Sequence, residues 1–231
     1  MPQQQAAAPD FETLRHHMIE QQIRPWDVLD ERVLDVIRNT PREDFVPERY
    51  RNSLAFADIT LPLGHDQVML QPRIEARMLQ SLDVQPGDRI LEIGTGSGYT
   101  TACLARLGQS VLSLDIFADF KYAAQRRLSA LGITNVELRV EDAGGGWHPD
   151  AGFDVIALTG SLPCLHRGFH DSLAIGGRLF VVVGRPPVME ALLITRTDTD
   201  QWARESLFET SIPPLLNVPE PPAFRFWARP H

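Results

Sequence analysis

The chain has 231 residues, with 22 lysines and arginines against 30 aspartates and glutamates, so its net charge of −8 excludes broad electrostatic capture of nucleic acid. No apolar run reaches the roughly 18 residues that a membrane span needs, and 43% apolar content over this length suffices for a full core in one domain. Cys103 and Cys164 lie far apart with no secretory leader before them, so reduced thiols are expected rather than a disulfide framework or a metal site, in a soluble cytoplasmic protein.

Residues 1–10 are rich in glutamine and alanine and are expected to fray. Phe11, Leu14 and Met18 then recur at helical spacing, and Arg24-Pro25 ends that helix. Asp27 is placed to cap a second helix carrying Leu29, Val33, Val36 and Ile37. A proline-punctuated link runs from Thr40 to Pro47. Leu54 to Pro72 has two prolines, a glycine and little periodicity, which predicts an ordered loop or short hairpin. A long irregular stretch inside a compact domain points to function. A helix over Ile74 to Leu82 leads to the turn Pro86-Gly87-Asp88.

The stretch that follows organises the rest. Ile90 to Ile93 is an apolar run that reads as a buried parallel strand, Gly94, Gly96 and Gly98 turn the chain, and a helix is predicted from Tyr99 to Leu107. A strand, a glycine turn and a helix N-terminus let the backbone approach a ligand and aim N–H groups at it. The spacing is G-x-G-x-G, not the G-x-G-x-x-G of dinucleotide sites. Glu92, just before the glycines, suits a cofactor with a charged amino-acid end and no pyrophosphate. Asp115 closes the next strand (Ser110–Asp115), 17 positions beyond Gly98, where a carboxylate can accept both hydroxyls of a ribose.

Phe117, Phe120, Ala124, Leu128 and Leu131 give one helix an apolar face, with Lys121, Arg126 and Arg127 on its solvent side. Further strands are predicted over Val136–Val140, Phe153–Thr159 and, after Gly176-Gly177, Arg178–Val183, with a helix over Leu165–Leu173. Met189–Thr195 and Ser206–Thr210 form a predicted antiparallel edge hairpin, and the five prolines between Pro213 and Pro222 predict an extended tail. Alternating strands and helices imply an α/β fold with a doubly wound, mostly parallel sheet. Ligands of such sheets sit outside the carboxyl ends of the strands. There Gly94 to Gly98, Asp115, Asp142-Ala143 and Thr159-Gly160 converge, with Asp142 fitting an exocyclic adenine amino group.

Leu91 to Tyr99 resembles the first motif of S-adenosylmethionine-dependent methyltransferases, in the form seen in protein-L-isoaspartate O-methyltransferases. Met18-Ile19-Glu20-Gln21-Gln22-Ile23, Pro41 to Pro47, Leu61-Pro62-Leu63-Gly64, Gln67, Gln71-Pro72, Ala76-Arg77-Met78, Phe153 to Ile156 and Gly176 to Leu179 extend the resemblance over residues 14–184. It implies a seven-stranded Rossmann-like methyltransferase sheet with extra N-terminal helices, as one domain. Residues 11–82 would supply helices and a substrate loop, 83–212 the cofactor-binding sheet, and 213–231 the proline-rich tail. S-adenosyl-L-methionine would be held by Glu92, Gly94, Thr95, Gly96, Ser97, Gly98, Asp115, Ile116, Asp142, Ala143 and Thr159. The acceptor would meet His65, Val68, Leu70, Gln71 and Pro72. The implied reaction is methylation of the carboxylate of isoaspartyl residues in damaged proteins.

The substrate loop departs from the family's Gln-Thr-Ile-Ser pattern. It reads Gln67-Val68-Met69-Leu70, and Leu70 stands where the family places a serine beside the acceptor carboxylate. Leucine offers no hydrogen bond. A lost charged hydrogen bond is worth about 1.5–3 kcal/mol, or about 10- to 150-fold. No catalytic residue is assigned, because an ionised carboxylate is already a nucleophile and needs positioning, not a base. The more apolar loop leaves two other expectations open: a small-molecule acceptor on the same scaffold, or binding of S-adenosylmethionine without catalysis.

Overall fold

The computed structural model describes residues 10–147 and 152–220. The fraying expected for the first nine residues, and the tail beyond residue 220, lie outside them. Seven strands form the main sheet: β3 (Arg89–Ile93), β4 (Ser110–Asp115), β5 (Val136–Val140), β6 (Phe153–Leu162), β7 (Leu173–Arg185), β8 (Val188–Asp198) and β9 (Gln201–Glu209). A small hairpin, β1 (Leu61–Gly64) with β2 (Gln67–Met69), lies before them in the chain. The order across the main sheet is β5-β4-β3-β6-β7-β8-β9, parallel from β5 through β7 and antiparallel for β8 and β9. The glycine-ended strand β3 is therefore flanked on both sides, and its apolar residues Ile90, Leu91 and Ile93 follow from burial on both faces.

Strand alternation sorts the core. Ile90, Val111, Val155, Ala157, Phe180 and Val182 pack on one face under the helices α1 (Phe11–Met18), α2 (Glu31–Asn39), α4 (Pro72–Leu82), α5 (Tyr99–Leu107) and α6 (Ala118–Ala130). The single turn α3 (Glu48–Arg51) precedes the hairpin. Leu91, Ile93, Ile156, Leu158, Leu179 and Val181 face the other way, against the short helix α7 (Arg167–His170), Ala143 and Leu215. No helix of the described residues is long and apolar enough to cross a membrane.

Three expectations need correction. The cap of α2 is Asp30, whose carboxylate accepts the Arg32 N–H at 2.8 Å, whereas Asp27 ends the preceding turn in a left-handed conformation (φ 57°) and leaves Leu29 outside the helix. The helix expected over Leu165–Leu173 shrinks to Arg167–His170, because Leu173 instead enters β7 and pairs with Phe153 in the core. Gly176 and Gly177 accordingly lie inside β7, not before it.

Both edge strands carry charge. On β5, Arg139 pairs with Glu137 at 2.7 Å, and on β9, Arg204 reaches Glu190 of β8 at 3.0 Å. The tail is stitched to the end of β6: Ser161 donates its N–H to the Pro213 carbonyl and accepts that of Leu215, each at 2.9 Å.

Candidate active site

The turn after β3 is built for close approach. The Gly94 N–H donates to the Leu114 carbonyl at 2.8 Å, and the Gly98 N–H to Thr95 at 2.8 Å, so the loop folds back over the ends of β3 and β4. Gly98 has φ 85°, and a Cβ there would lie 2.8 Å from the Ala124 Cβ and 3.2 Å from its Cα on α6. Gly98→Ala is expected to destabilise the fold by about 2–5 kcal/mol, combining a left-handed backbone penalty with overpacking against helix backbone. Urea unfolding checks this, and a midpoint equal to that of the unaltered chain would remove the steric argument.

Asp115, 6% exposed, is fixed by two backbone donors: Gly96 N–H at 2.8 Å to one oxygen and Phe117 N–H at 2.9 Å to the other. Burial raises its carboxyl above the usual range, against the lowering effect of those two bonds. Thr159 donates its hydroxyl to the Gly94 carbonyl at 2.6 Å, tying β6 to the turn. Asp142 accepts the Gly144 N–H at 3.0 Å and the Asn217 side-chain amide at 2.7 Å. Gly160 packs so closely on the tail that an added Cβ would fall 2.6 Å from the Leu215 side chain.

These groups line one cleft. Of the residues assigned to the cofactor, Gly94, Thr95, Gly96, Ser97, Asp115, Ile116, Asp142, Ala143 and Thr159 line it. Gly98 lies beneath, at the start of α5. Glu92 is placed behind the turn: it is fully buried, and one oxygen accepts the hydroxyls of Thr101 at 2.5 Å and Ser113 at 2.6 Å. Its other oxygen has no partner, and desolvation pushes the carboxyl up to about 8.

The hairpin forms the opposite wall. Val68 and Leu70 line the cleft, and the Leu70 carbonyl accepts from Arg42 Nη2 at 2.7 Å. Gln71 and Pro72 start α4 and do not line it. His65 sits in the hairpin turn, outside the lining. Its ring stacks on Phe117 (centroids 4.0 Å apart) and Nε2 meets Asp119 at 3.0 Å, so it ties the hairpin to α6. Arg127, expected on the solvent side of α6, instead donates to the Ser97 carbonyl at 2.9 Å and braces the turn from below.

Among the lining residues not assigned from sequence are Glu75, Thr100, Leu215 and Leu216. Glu75 is 3% exposed and bonded to Arg42 Nη1, while Thr100 Oγ1 reaches its other oxygen at 3.4 Å. Its place in the sequence held a signal, because Glu75 precedes Met78 and Leu79 by three and four positions and so falls on the buried face of α4. Desolvation raises its carboxyl to about 7, partly offset by Arg42.

The donor set fits S-adenosylmethionine. The carboxylates of Asp115 and Asp142 and a glycine cradle at three adjacent strand ends suit an adenosine with a cationic tail, and among the described residues no cluster of phosphate-binding cations lines the cleft. A family model for protein-L-isoaspartate(D-aspartate) O-methyltransferase matches residues 13–215. The chain is 39% identical over 226 residues to protein-L-isoaspartate O-methyltransferase 1 of Rhodopseudomonas palustris, covering 94% of this chain and 92% of that one. It is 41% identical over 189 residues to the protein-L-isoaspartate O-methyltransferase of Pseudomonas paraeruginosa, covering 81% and 89%. In fold, it resembles a Plasmodium falciparum protein-L-isoaspartate O-methyltransferase solved in complex with S-adenosyl-L-homocysteine (TM-score 0.75, 18% identity, 90% of this chain and 98% of that one). With a matching model over most of its length and relatives near 40% identity, the chain belongs to the protein-L-isoaspartate(D-aspartate) O-methyltransferase family.

Proposed function

We propose that the protein transfers a methyl group from S-adenosylmethionine to the free carboxylate of an isoaspartyl residue in a polypeptide acceptor. The observation that carries this is the meeting of two walls in one cleft: the glycine turn with Asp115 on one side, and Val68 of β2 with the following Leu70 on the other. Family membership supplies the acceptor class. The bound cofactor supplies an activated methyl on a sulfonium sulfur, and the protein's own residues supply placement. Asp115 would accept the ribose hydroxyls, and Asp142, which takes the Asn217 side-chain amide, would accept the adenine amino group. A carboxylate oxygen gains the methyl, sulfur keeps the bonding pair, and anion and cation both become neutral. Water stabilises the separated charges more than the charge-dispersed transition state, so the apolar surface of Leu63, Val68, Leu70, Phe120 and Leu216 favours the step by excluding it.

Leu70 itself offers the acceptor carboxylate no hydroxyl. In a radiolabelled transfer assay on an isoaspartyl peptide, Leu70→Ser is therefore expected to raise kcat/KM by about 10- to 150-fold, one charged hydrogen bond. Measurable turnover by the unaltered chain supports isoaspartyl methylation. No turnover by either protein, with S-adenosylhomocysteine binding intact, would redirect the scaffold to another acceptor.

A further inference from the structure

We propose that Glu75 is the receptor for the α-ammonium group of S-adenosylmethionine. This rests on the cofactor assignment above and deepens it. Besides Asp115, two buried glutamates flank the glycine turn, and only one of them opens into the cleft. Glu92 does not line the cleft, and the oxygen it uses accepts from the hydroxyls of Thr101 and Ser113, whereas Glu75 lines the cleft together with Leu70, Gly94 and Thr100.

The sheet order says which part of the ligand reaches it. Asp142, Asp115 and Gly94 stand at the ends of β5, β4 and β3, which are neighbours in that sequence. Adenine at the first and ribose at the second send the amino-acid tail past the third, toward α5. Thr100 lies on α5 and contacts Glu75, so the tail is delivered to this carboxylate. Glu75 also has bonding capacity to spare. One oxygen takes Arg42 Nη1, and the other has only the long 3.4 Å approach of the Thr100 hydroxyl. An ammonium with three donors fills that oxygen, and the carboxylate then lies between two cations, Arg42 behind and the ligand in front. Arg42 itself is 1% exposed and does not line the cleft, so it remains behind Glu75.

The charged and titratable surroundings of Glu75 are Arg42 from the turn before α3, Tyr99 and Cys103 from α5, and Glu92 from β3. Burial pushes the Tyr99 hydroxyl and the Cys103 thiol upward, so both are neutral at working pH. The Glu75 carboxyl stands near 7 before a ligand cation arrives. An ammonium favours the ionised form, so its binding drives off a proton below that pH and tightens as pH rises toward and past 7.

Calorimetry with two ligands tests this. S-adenosylhomocysteine carries the ammonium, and 5′-methylthioadenosine keeps the adenosine and thioether but lacks the amino-acid end. Glu75→Gln, which keeps an acceptor for Arg42, is expected to weaken the first by about 10- to 100-fold and the second by less than about 3-fold, since only the first loses a charged hydrogen bond. The unaltered chain should bind S-adenosylhomocysteine more tightly at pH 8 than at pH 6, and should bind its deaminated analogue about 10- to 100-fold more weakly. That last comparison needs no variant, so it stands even if Glu75→Gln fails to fold. Equal affinity for S-adenosylhomocysteine and the deaminated analogue, or equal loss of both ligands in a folded Glu75→Gln protein, would overturn the assignment. Failure of the unaltered chain to bind either thioether would instead overturn the cofactor reading on which it rests.

Discussion

Arg42→Met is expected to lower the unfolding free energy by about 3–5 kcal/mol at pH 8, the cost of stripping a buried charge of its partner. Arg42 donates to three elements at once: the Ala55 carbonyl at 3.0 Å, the Leu70 carbonyl at 2.7 Å and Glu75. Its guanidinium also lies over the Tyr99 ring, 4.8 Å from the centroid. The double variant Arg42→Met/Glu75→Leu should recover much of the loss, since removing both charges leaves nothing to desolvate. The deficit also depends on pH. The folded protein holds the Glu75 carboxyl near 7 against an ordinary 4.5, so it binds the extra proton and its stability falls as pH rises through that interval. Arg42 is the main influence that lowers this value. Without it the fall continues to higher pH, and the difference between variant and unaltered chain should be larger at pH 8 than at pH 6. Chemical denaturation at the two pH values decides the matter. A deficit that is the same at both would mean that Arg42 acts through its carbonyl bonds alone.

Asp115→Ala should weaken S-adenosylhomocysteine binding by at least about 100-fold, because two charged hydrogen bonds to a ribose, each worth about 1.5–3 kcal/mol, are lost together. The variant also frees the N–H groups of Gly96 and Phe117, so part of the effect arises from a loosened turn and a less defined start of α6. Asp115→Asn separates the two contributions: it can keep one backbone bond and loses the charge, and should fall between. Asp142→Ala should cost less, since that carboxylate is already engaged by Gly144 and Asn217 and is nearer the rim. Calorimetric affinities within 3-fold of the unaltered chain for Asp115→Ala would withdraw the ribose assignment.

The parts of this fold that could be read from the sequence are those governed by local rules. The boundaries of α5, β4 and β5 match their predicted ranges residue for residue, because apolar runs there end at glycine or at a carboxylate. The converging strand ends also lie together, as parallel topology requires. What the sequence hid depends on contacts between distant segments. Leu173 looks like the last turn of a helix until Phe153 pairs with it across the sheet. Arg127 looks solvated until the Ser97 carbonyl claims it. Glu92 and Glu75 are the clearest case. Their order in the chain favours Glu92 as the ligand group, since it adjoins the glycines, yet its side chain faces the hydroxyls of α5 and β4. Glu75 reaches the cleft from a helix 17 positions earlier, with Arg42 a further 33 positions back. The tail residues Leu215 and Leu216 had no local signal beyond proline spacing, because their role comes from docking on β6.

The charged rims of the sheet bear on how a protein can handle other polypeptides safely. An edge strand offers unpaired N–H and C=O groups that an extended chain can join, and repeated joining leads to aggregates. Here β5 carries Glu137 with Arg139, and Arg204 on β9 reaches Glu190 of the neighbouring β8, so each rim presents charge that is costly to desolvate against an incoming strand. Charge at both rims disfavours the pairing of an extended polypeptide with the sheet edges.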